Sequence, residues 1–399
     1  MKYRKYCALR RVLYFLWLKD IFVDIYARFI YKPSLKKLQS NPLPQLLFFN
    51  SGHLGDALIM SYSFPEIKKK YPNIVIDVVC GEWCKFIFDK NPFVRNIIIQ
   101  NHFMTNRSPI SEFKKLVNHF KTAWSAAKEL KTTTYDFSID VRNSAAVSHW
   151  ILPFIKVQKS YGFGSRGYGG LLEKEFFLPD IPFHAYDMIA ILLKEIGVES
   201  NLSSVKAYLP FHSQNKEKTA EKVHISPNSL LLFPESGGDI KMFDNDFWVK
   251  FSNKILVKSP YNLLLCGEKK FTETLFHVLQ EQLPMFKNRI AFTGKIHLST
   301  VATLPQIAAA AITLDSFPAH LCSIFCKTLV LSKNATGYQF FPLNNVATLM
   351  LHDHSPSRLI NLPREAFSSQ YVEHLNNIFN DENSMTLITD FLNNNVVHV

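Results

Sequence analysis

Cysteine is scarce in this chain: six residues in 399, at Cys7, Cys80, Cys84, Cys266, Cys322 and Cys326. Their spacing builds no disulfide framework, which points to a reducing compartment, the cytoplasm. Cys80/Cys84 and Cys322/Cys326 share a C-x3-C spacing, but each pair lies in an apolar setting where thiols act as small core side chains, so no metal is expected. Charge is also modest, 20% against 47% hydrophobic residues, and that balance excludes a disordered chain. Low-complexity tracts and short repeats are absent. The longest apolar run, residues 12–31, is interrupted by Lys19, Asp20, Asp24 and Arg28. A charge near a bilayer centre costs about 2.5–3.5 kcal/mol, which argues against a span. No small-residue cleavage site follows the run, which argues against a signal peptide. A tight G-x-G-x-x-G after a strand is missing too: Gly52-His53-Leu54-Gly55 lacks the first close glycine pair, so a nicotinamide dehydrogenase is disfavoured.

Acidic residues are outnumbered, 33 against 45 Lys and Arg, for a net charge of +12. Residues 1–40 carry ten of the basic residues against only Asp20 and Asp24, two-thirds of the net charge. A nucleic-acid protein spreads its charge over a binding face, so no nucleic-acid partner is expected. Asp20, Asp24 and Arg28 fall at i, i+4 and i+8 and make one polar stripe on a broadly apolar helix. With basic flanks, such a helix suits the surface of an anionic bilayer; the alternative is that its apolar side packs on the body of the protein.

The length suggests two domains. Strand-like and helix-like runs alternate, as in α/β folds with parallel sheets. Strands are expected at 45–49, 74–80, 135–140, 230–233, 262–266, 290–292, 311–314 and 328–331. Helices are expected at 56–70, 110–131, 143–155, 245–257, 270–282, 299–310 and 318–326. A glycine-dense loop is expected at 161–170. The expected domains are a basic amphipathic segment over 1–40, a Rossmann-like domain over 41–185, a link over 186–228, a second Rossmann-like domain over 229–355, and a helical segment over 356–399 returning towards the first domain.

Two strand–loop–helix units draw the chemistry. The first runs Ser51-Gly52-His53-Leu54-Gly55-Asp56-Ala57 after Leu46–Phe49. Gly52 and Gly55 permit close approach of a ligand to the backbone, and Asp56 opens a helix, where a carboxylate also serves as a cap. The second runs Phe233-Pro234-Glu235-Ser236-Gly237-Gly238-Asp239-Ile240-Lys241 after Leu230–Leu232. Ser236 and Gly237 at a helix start favour a diphosphate, and Lys241 adds a cation. A third element, Asp315-Ser316-Phe317-Pro318-Ala319-His320, closes a strand at the sheet edge where ligands bind in open α/β folds. His320 has no i+3 or i+4 ligand partner, so the spacing is not a metal site.

These motifs, in this order, resemble glycosyltransferase family 9, the heptosyltransferase-like enzymes of bacterial surface-glycan assembly. Gly55-Asp56-Ala57-Leu58-Ile59, Pro65, Tyr71-Pro72, Asn91-Pro92-Phe93-Val94, Tyr135–Asp140 and Tyr161-Gly162-Phe163 match its first half. Pro234-Glu235-Ser236-Gly237 with Lys241, and Asp315 through His320, match its second. The resemblance implies a GT-B fold, two Rossmann-like domains facing one another across a cleft, here with an extra basic N-terminal helix. It implies an inverting transferase that needs no metal and no cofactor. The donor would be a nucleotide sugar, ADP-heptose or another, and the acceptor a lipid-linked or lipopolysaccharide-type glycan at the cytoplasmic face of the inner membrane. Asp56 would be the general base; Ser236, Gly237 and Lys241 would hold the donor diphosphate; Asp315 would contact the donor sugar, with Ser316 and His320 at the phosphate end. Gly52, His53 and Gly55 would shape the acceptor loop. The chain departs from the pattern at Glu235 (commonly Gly), Met242 (commonly basic), Phe317 (Gly) and Cys326-Lys327-Thr328 (Gly-Thr-Pro). Those departures leave a second reading, a non-catalytic GT-B relative binding glycan or a partner transferase.

Overall fold

The computed structural model describes residues 10–350, apart from 36–37, 40–41, 144–146, 166, 179–182, 211–214, 239–240, 333–338, 341 and 344–345. These residues form two compact units, one ending at residue 210 and one starting at residue 215.

The first unit is built on a six-stranded parallel sheet of β1 (Gln45–Asn50), β2 (Val75–Cys80), β3 (Val94–Ile99), β4 (Thr134–Asp140), β5 (Lys156–Phe163) and β6 (Lys174–Phe176), ordered β3-β2-β1-β4-β5-β6. Leu46 to Phe49 are completely buried, as expected for a strand covered on both faces. Around the sheet lie α1 (Arg10–Tyr26), a π turn (Ala27–Tyr31), α2 (Lys32–Leu35), α3 (Leu54–Ser61), α4 (Phe64–Lys70), α5 (Lys85–Phe88), α6 (Glu112–Leu130) and α7 (Ala185–Lys194). The helix expected over 56–70 is two, because Pro65 fits only the first turn of a new helix. Of the helix expected over 143–155, the described part is a 3-10 turn, His149–Phe154, containing Pro153.

The second unit repeats the plan. After α8 (Lys216–Val223), β7 (Ser229–Phe233), β8 (Asn262–Leu265), β9 (Ile290–Phe292), β10 (Ala310–Leu314), β11 (Lys327–Ser332) and β12 (Val346–Met350) form a parallel sheet ordered β12-β11-β10-β7-β8-β9. The intervening helices are α9 (Asn245–Lys258), α10 (Lys270–Gln282), α11 (Leu298–Val301) and α12 (Phe317–Ser323). The helix expected over 299–310 shortens to α11 and a 3-10 turn, Leu304–Gln306, around Pro305. Read from its first strand, each sheet has the 3-2-1-4-5-6 order of the Rossmann fold.

The stretch 186–228, expected as a link, contributes to both cores. Tyr186, Met188, Ile189, Leu192 and Leu193 of α7 are buried in the first unit, and Val223 and Ile225 join a cluster of the second. The segment 356–399 lies outside the described residues. The five described cysteines are all buried free thiols.

The N-terminal helix packs in an unusual sense. Its inward side is a narrow stripe of Asp20, Ala27 and Tyr31. Tyr168 N–H donates to Asp20 Oδ1 (3.0 Å), and Lys19 Nζ lies 3.5 Å from the centre of the Tyr168 ring. The glycine-dense loop is the seat: Gly167 adopts φ +100°, and a Cβ on Gly170 would come within 3.1 Å of the Asp24 Cα. Tyr14, Phe15, Trp17, Leu18, Phe22, Ile25, Phe29 and Ile30 face outward instead. No helix among the described residues is long and apolar enough to cross a membrane.

Candidate active site

In an open parallel sheet, ligands bind beyond the carboxyl ends of the strands where the strand order reverses. In the first unit that point lies between β1 and β4, in the second between β7 and β10. Each holds an acid–base pair.

After β1, the chain turns through Gly52 into α3, whose third residue is Asp56. His53 N–H donates to Asp56 Oδ2 (2.8 Å) across the helix start. Arg142, two residues past the end of β4, reaches over so that its Nη1 donates to Asp56 Oδ1 (2.7 Å). Burial pushes the Asp56 carboxyl up, but the Arg142 guanidinium and the His53 N–H outweigh it and hold the group below the usual carboxylate range. The side chain keeps 20% of its surface exposed, so a hydroxyl can reach it. Gly52 is needed for this pair: a Cβ there would lie 2.6 Å from both Arg142 Nη1 and Asp56 Oδ2. The room beside that glycine, expected for a ligand, is therefore filled by the protein's own ion pair. Gly55 is helical, the second residue of α3. Arg107 Nη2 stands 3.2 Å from His53 Nε2 and adds a second guanidinium beside the loop.

Arg142 is itself placed by Asp140. Asp140 Oδ1 accepts from Arg142 N–H (3.0 Å), and Oδ2 accepts from Ser148 N–H, His149 N–H and His149 Nδ1. One carboxylate thus gathers both ends of the segment after β4.

In the second unit, Lys241 Nζ donates to Asp315 Oδ2 (2.7 Å) and to the Asp315 carbonyl (3.1 Å). Asp315 and Ser236 are buried. Ser236 and Gly237 are not themselves helical, and the next described α-helix, α9, begins at Asn245, capped by Asp244 accepting from Phe247 N–H (2.8 Å). Ser236 is held through its carbonyl, which accepts from Lys269 Nζ (2.8 Å). Gly238 faces open space. Ser316 precedes α12, and its Oγ donates to the Leu314 carbonyl (3.3 Å). His320 sits one turn into α12 and is buried.

Glu235 is turned away from the loop's open side. Its carboxylate accepts from Lys269 N–H, Thr272 N–H and Thr272 Oγ1, so it caps the start of α10. Gly267 makes room, since a Cβ there would strike Thr272 and Glu235. Phe317 is the half-buried first residue of α12, a position that needs no glycine. Among the described residues no group of three His, Cys, Asp or Glu gathers into a metal-binding cluster.

Sequence reasoning missed Arg142, Arg107 and Lys269. Arg142 had a signal: it follows a strand ending in Asp140, and the loops after the first and fourth strands of a Rossmann sheet meet.

Two parallel sheets of Rossmann order in one chain place it in the α/β class to which the GT-B enzymes belong. The chain belongs to glycosyltransferase family 9 (heptosyltransferase), whose model matches residues 123–330, just over half of it. The match spans Ser236, Lys241, Asp315 and His320, and begins after Asp56. Lipooligosaccharide heptosyltransferase 2 of Haemophilus influenzae is 24% identical over 319 residues, 76% of this chain and 88% of that protein. Among solved structures, the glycosyl transferase family 9 protein of Veillonella parvula superposes with a TM-score of 0.62 at 15% identity, covering 83% of this chain and 96% of that one. Heptosyltransferase WaaC of E. coli, solved with ADP, gives 0.58 at 14% identity over 77% and 93%.

Proposed function

We propose that the chain moves a sugar from a nucleotide-sugar donor to a lipopolysaccharide-type or lipid-linked acceptor, with inversion and without a metal, peripherally at the cytoplasmic face of the inner membrane. The observation that carries this is the pair of switch points: an ionised carboxylate over one sheet and a partly engaged ammonium over the other. Asp56, kept ionised by Arg142, takes the proton from the acceptor hydroxyl as its oxygen attacks the anomeric carbon. The bond from that carbon to the donor phosphate breaks, and the nucleoside diphosphate leaves. Lys241 gives two donors to Asp315, and its third N–H serves the departing diphosphate. Ser236 and Gly237 supply further polar groups to the diphosphate, Asp315 contacts the donor sugar, and Ser316 and His320 shape the phosphate end. Gly52, His53 and Gly55 shape the acceptor side. The related proteins solved with ADP and named for ADP-heptose make an ADP-sugar the first donor to test.

Glu235, one of the departures that leave room for a non-catalytic relative, has a structural task at α10, which weakens that reading. Thermal-shift titration with ADP-, UDP-, GDP- and CMP-sugars tests the proposal. A shift with one nucleotide class, reduced in Lys241→Ala, is expected. A well-folded protein that responds to none would return the non-catalytic reading.

A further inference from the structure

The exposed side of α1 has a counterpart elsewhere in the same unit. On α6, Phe113, Leu116, Val117, Phe120 and Trp124 recur at helical spacing on the outer face, and Trp124, 67% exposed, packs its ring 6.0 Å from that of Phe154. The inner face of the same helix, Ala123, Ala126, Ala127 and Leu130, is buried in one cluster with Ala27 and Tyr31 from the end of the N-terminal helix. Both helices therefore cover the same side of the first sheet, and each carries a second apolar face pointing outward. Large exposed apolar side chains gathered along a helix face commonly mark a binding surface.

Basic residues border both faces. Lys114, Lys121 and Lys128 repeat every seven residues on α6 and are all exposed, forming a row beside the aromatic stripe. Arg28 is exposed on the π turn, and Lys32 follows it. Aromatic and aliphatic side chains flanked by rows of Lys and Arg match the chemistry of an anionic bilayer surface, where rings enter the headgroup region and cations meet phosphates.

We propose that α1 and α6 form one bilayer-docking face, seated on anionic phospholipid, with the Asp20–Tyr168 contact and the Gly167–Gly170 seat holding α1 so that its apolar arc points to the lipid. The proposal deepens the peripheral reading above and relies on it only for which leaflet is engaged; the face itself follows from the two helices. It differs from an anchor made by the N-terminal segment alone because it requires α6.

The test uses the full-length protein and co-sedimentation with vesicles of phosphatidylethanolamine and phosphatidylglycerol, against vesicles of phosphatidylcholine alone. Phe22→Asp/Phe29→Asp alters only α1 and the π turn that continues it, and Phe120→Asp/Trp124→Asp only α6; all four side chains are exposed, so folding should survive, and a melting curve checks it. The wild type should bind the anionic vesicles and release on raising salt. Each double variant should bind at least about tenfold more weakly. Unchanged binding in the α6 variant would overturn the two-helix face, and equal binding to neutral vesicles would overturn the anionic partner. If sedimentation velocity shows a dimer that the variants dissociate, with no vesicle binding, the face joins two copies of the chain and the proposal fails. Nucleotide-sugar thermal shifts on the same variants should match wild type, which separates a failure here from a failure of the transferase reading.

Discussion

Asp56 is held by two donors before any acceptor arrives, and both act in the direction of the charged form. Asp56→Asn keeps the helix start but removes the proposed proton acceptor, so transfer should fall by about 10^2–10^4-fold with donor binding unchanged. Arg142→Met should let the half-buried carboxyl's pKa rise. The acid limb of the kcat/KM profile would then move to higher pH and activity would recover at alkaline pH; a profile that stays in place would show that Arg142 does not set the ionisation of the base. The same shift bears on stability. The folded carboxyl lies below its unfolded value, so its contribution is present above the ordinary carboxylate range and is lost as pH falls through the depressed value.

Among elements, α10 shows how a departure from a family motif can be structural. Its first N–H groups are satisfied by Glu235, from the loop after β7. Glu235→Ala should cost about 1 kcal/mol and lower Tm by about 2–4 °C, while donor affinity stays the same. A weaker donor response with no loss of Tm would place Glu235 in the donor site. Elements with strong apolar runs were legible in the sequence: β1, β2, β4 and β7 to β11 fall within two residues of expectation. Val94–Ile99 was not read as a strand, because Arg95 and Asn96 break its apolar pattern; Arg95 is there to pair with buried Asp77. Without β3 the strand order stayed hidden, and with it the neighbour relation that brings Arg142 to Asp56. Asp56 and Lys241 were legible from their motifs, whereas their ion-pair partners depend on which strands lie side by side. The direction of α1 was not legible either. A polar stripe on an apolar helix is ordinarily the solvent face; Asp24 and Arg28 keep to that, while Asp20 is buried against the loop at Gly167 and Tyr168.

For the whole molecule, the N-terminal segment is part of a core as well as of the proposed docking face. Ala27 and Tyr31 share a cluster with α6 and with β1 to β5, so deleting residues 1–40 would open that cluster. The truncated chain should melt several degrees below the full one as well as lose vesicle binding. An unchanged melting temperature would show that the segment is only tethered.

The outward arc of α1 also changes what concentration means for this enzyme. Seated on a leaflet as proposed, the chain would meet a lipid-borne acceptor by diffusion in two dimensions. Turnover should then follow the mole fraction of acceptor in the membrane: adding inert lipid at constant total acceptor would slow the reaction, though nothing in the aqueous phase had changed.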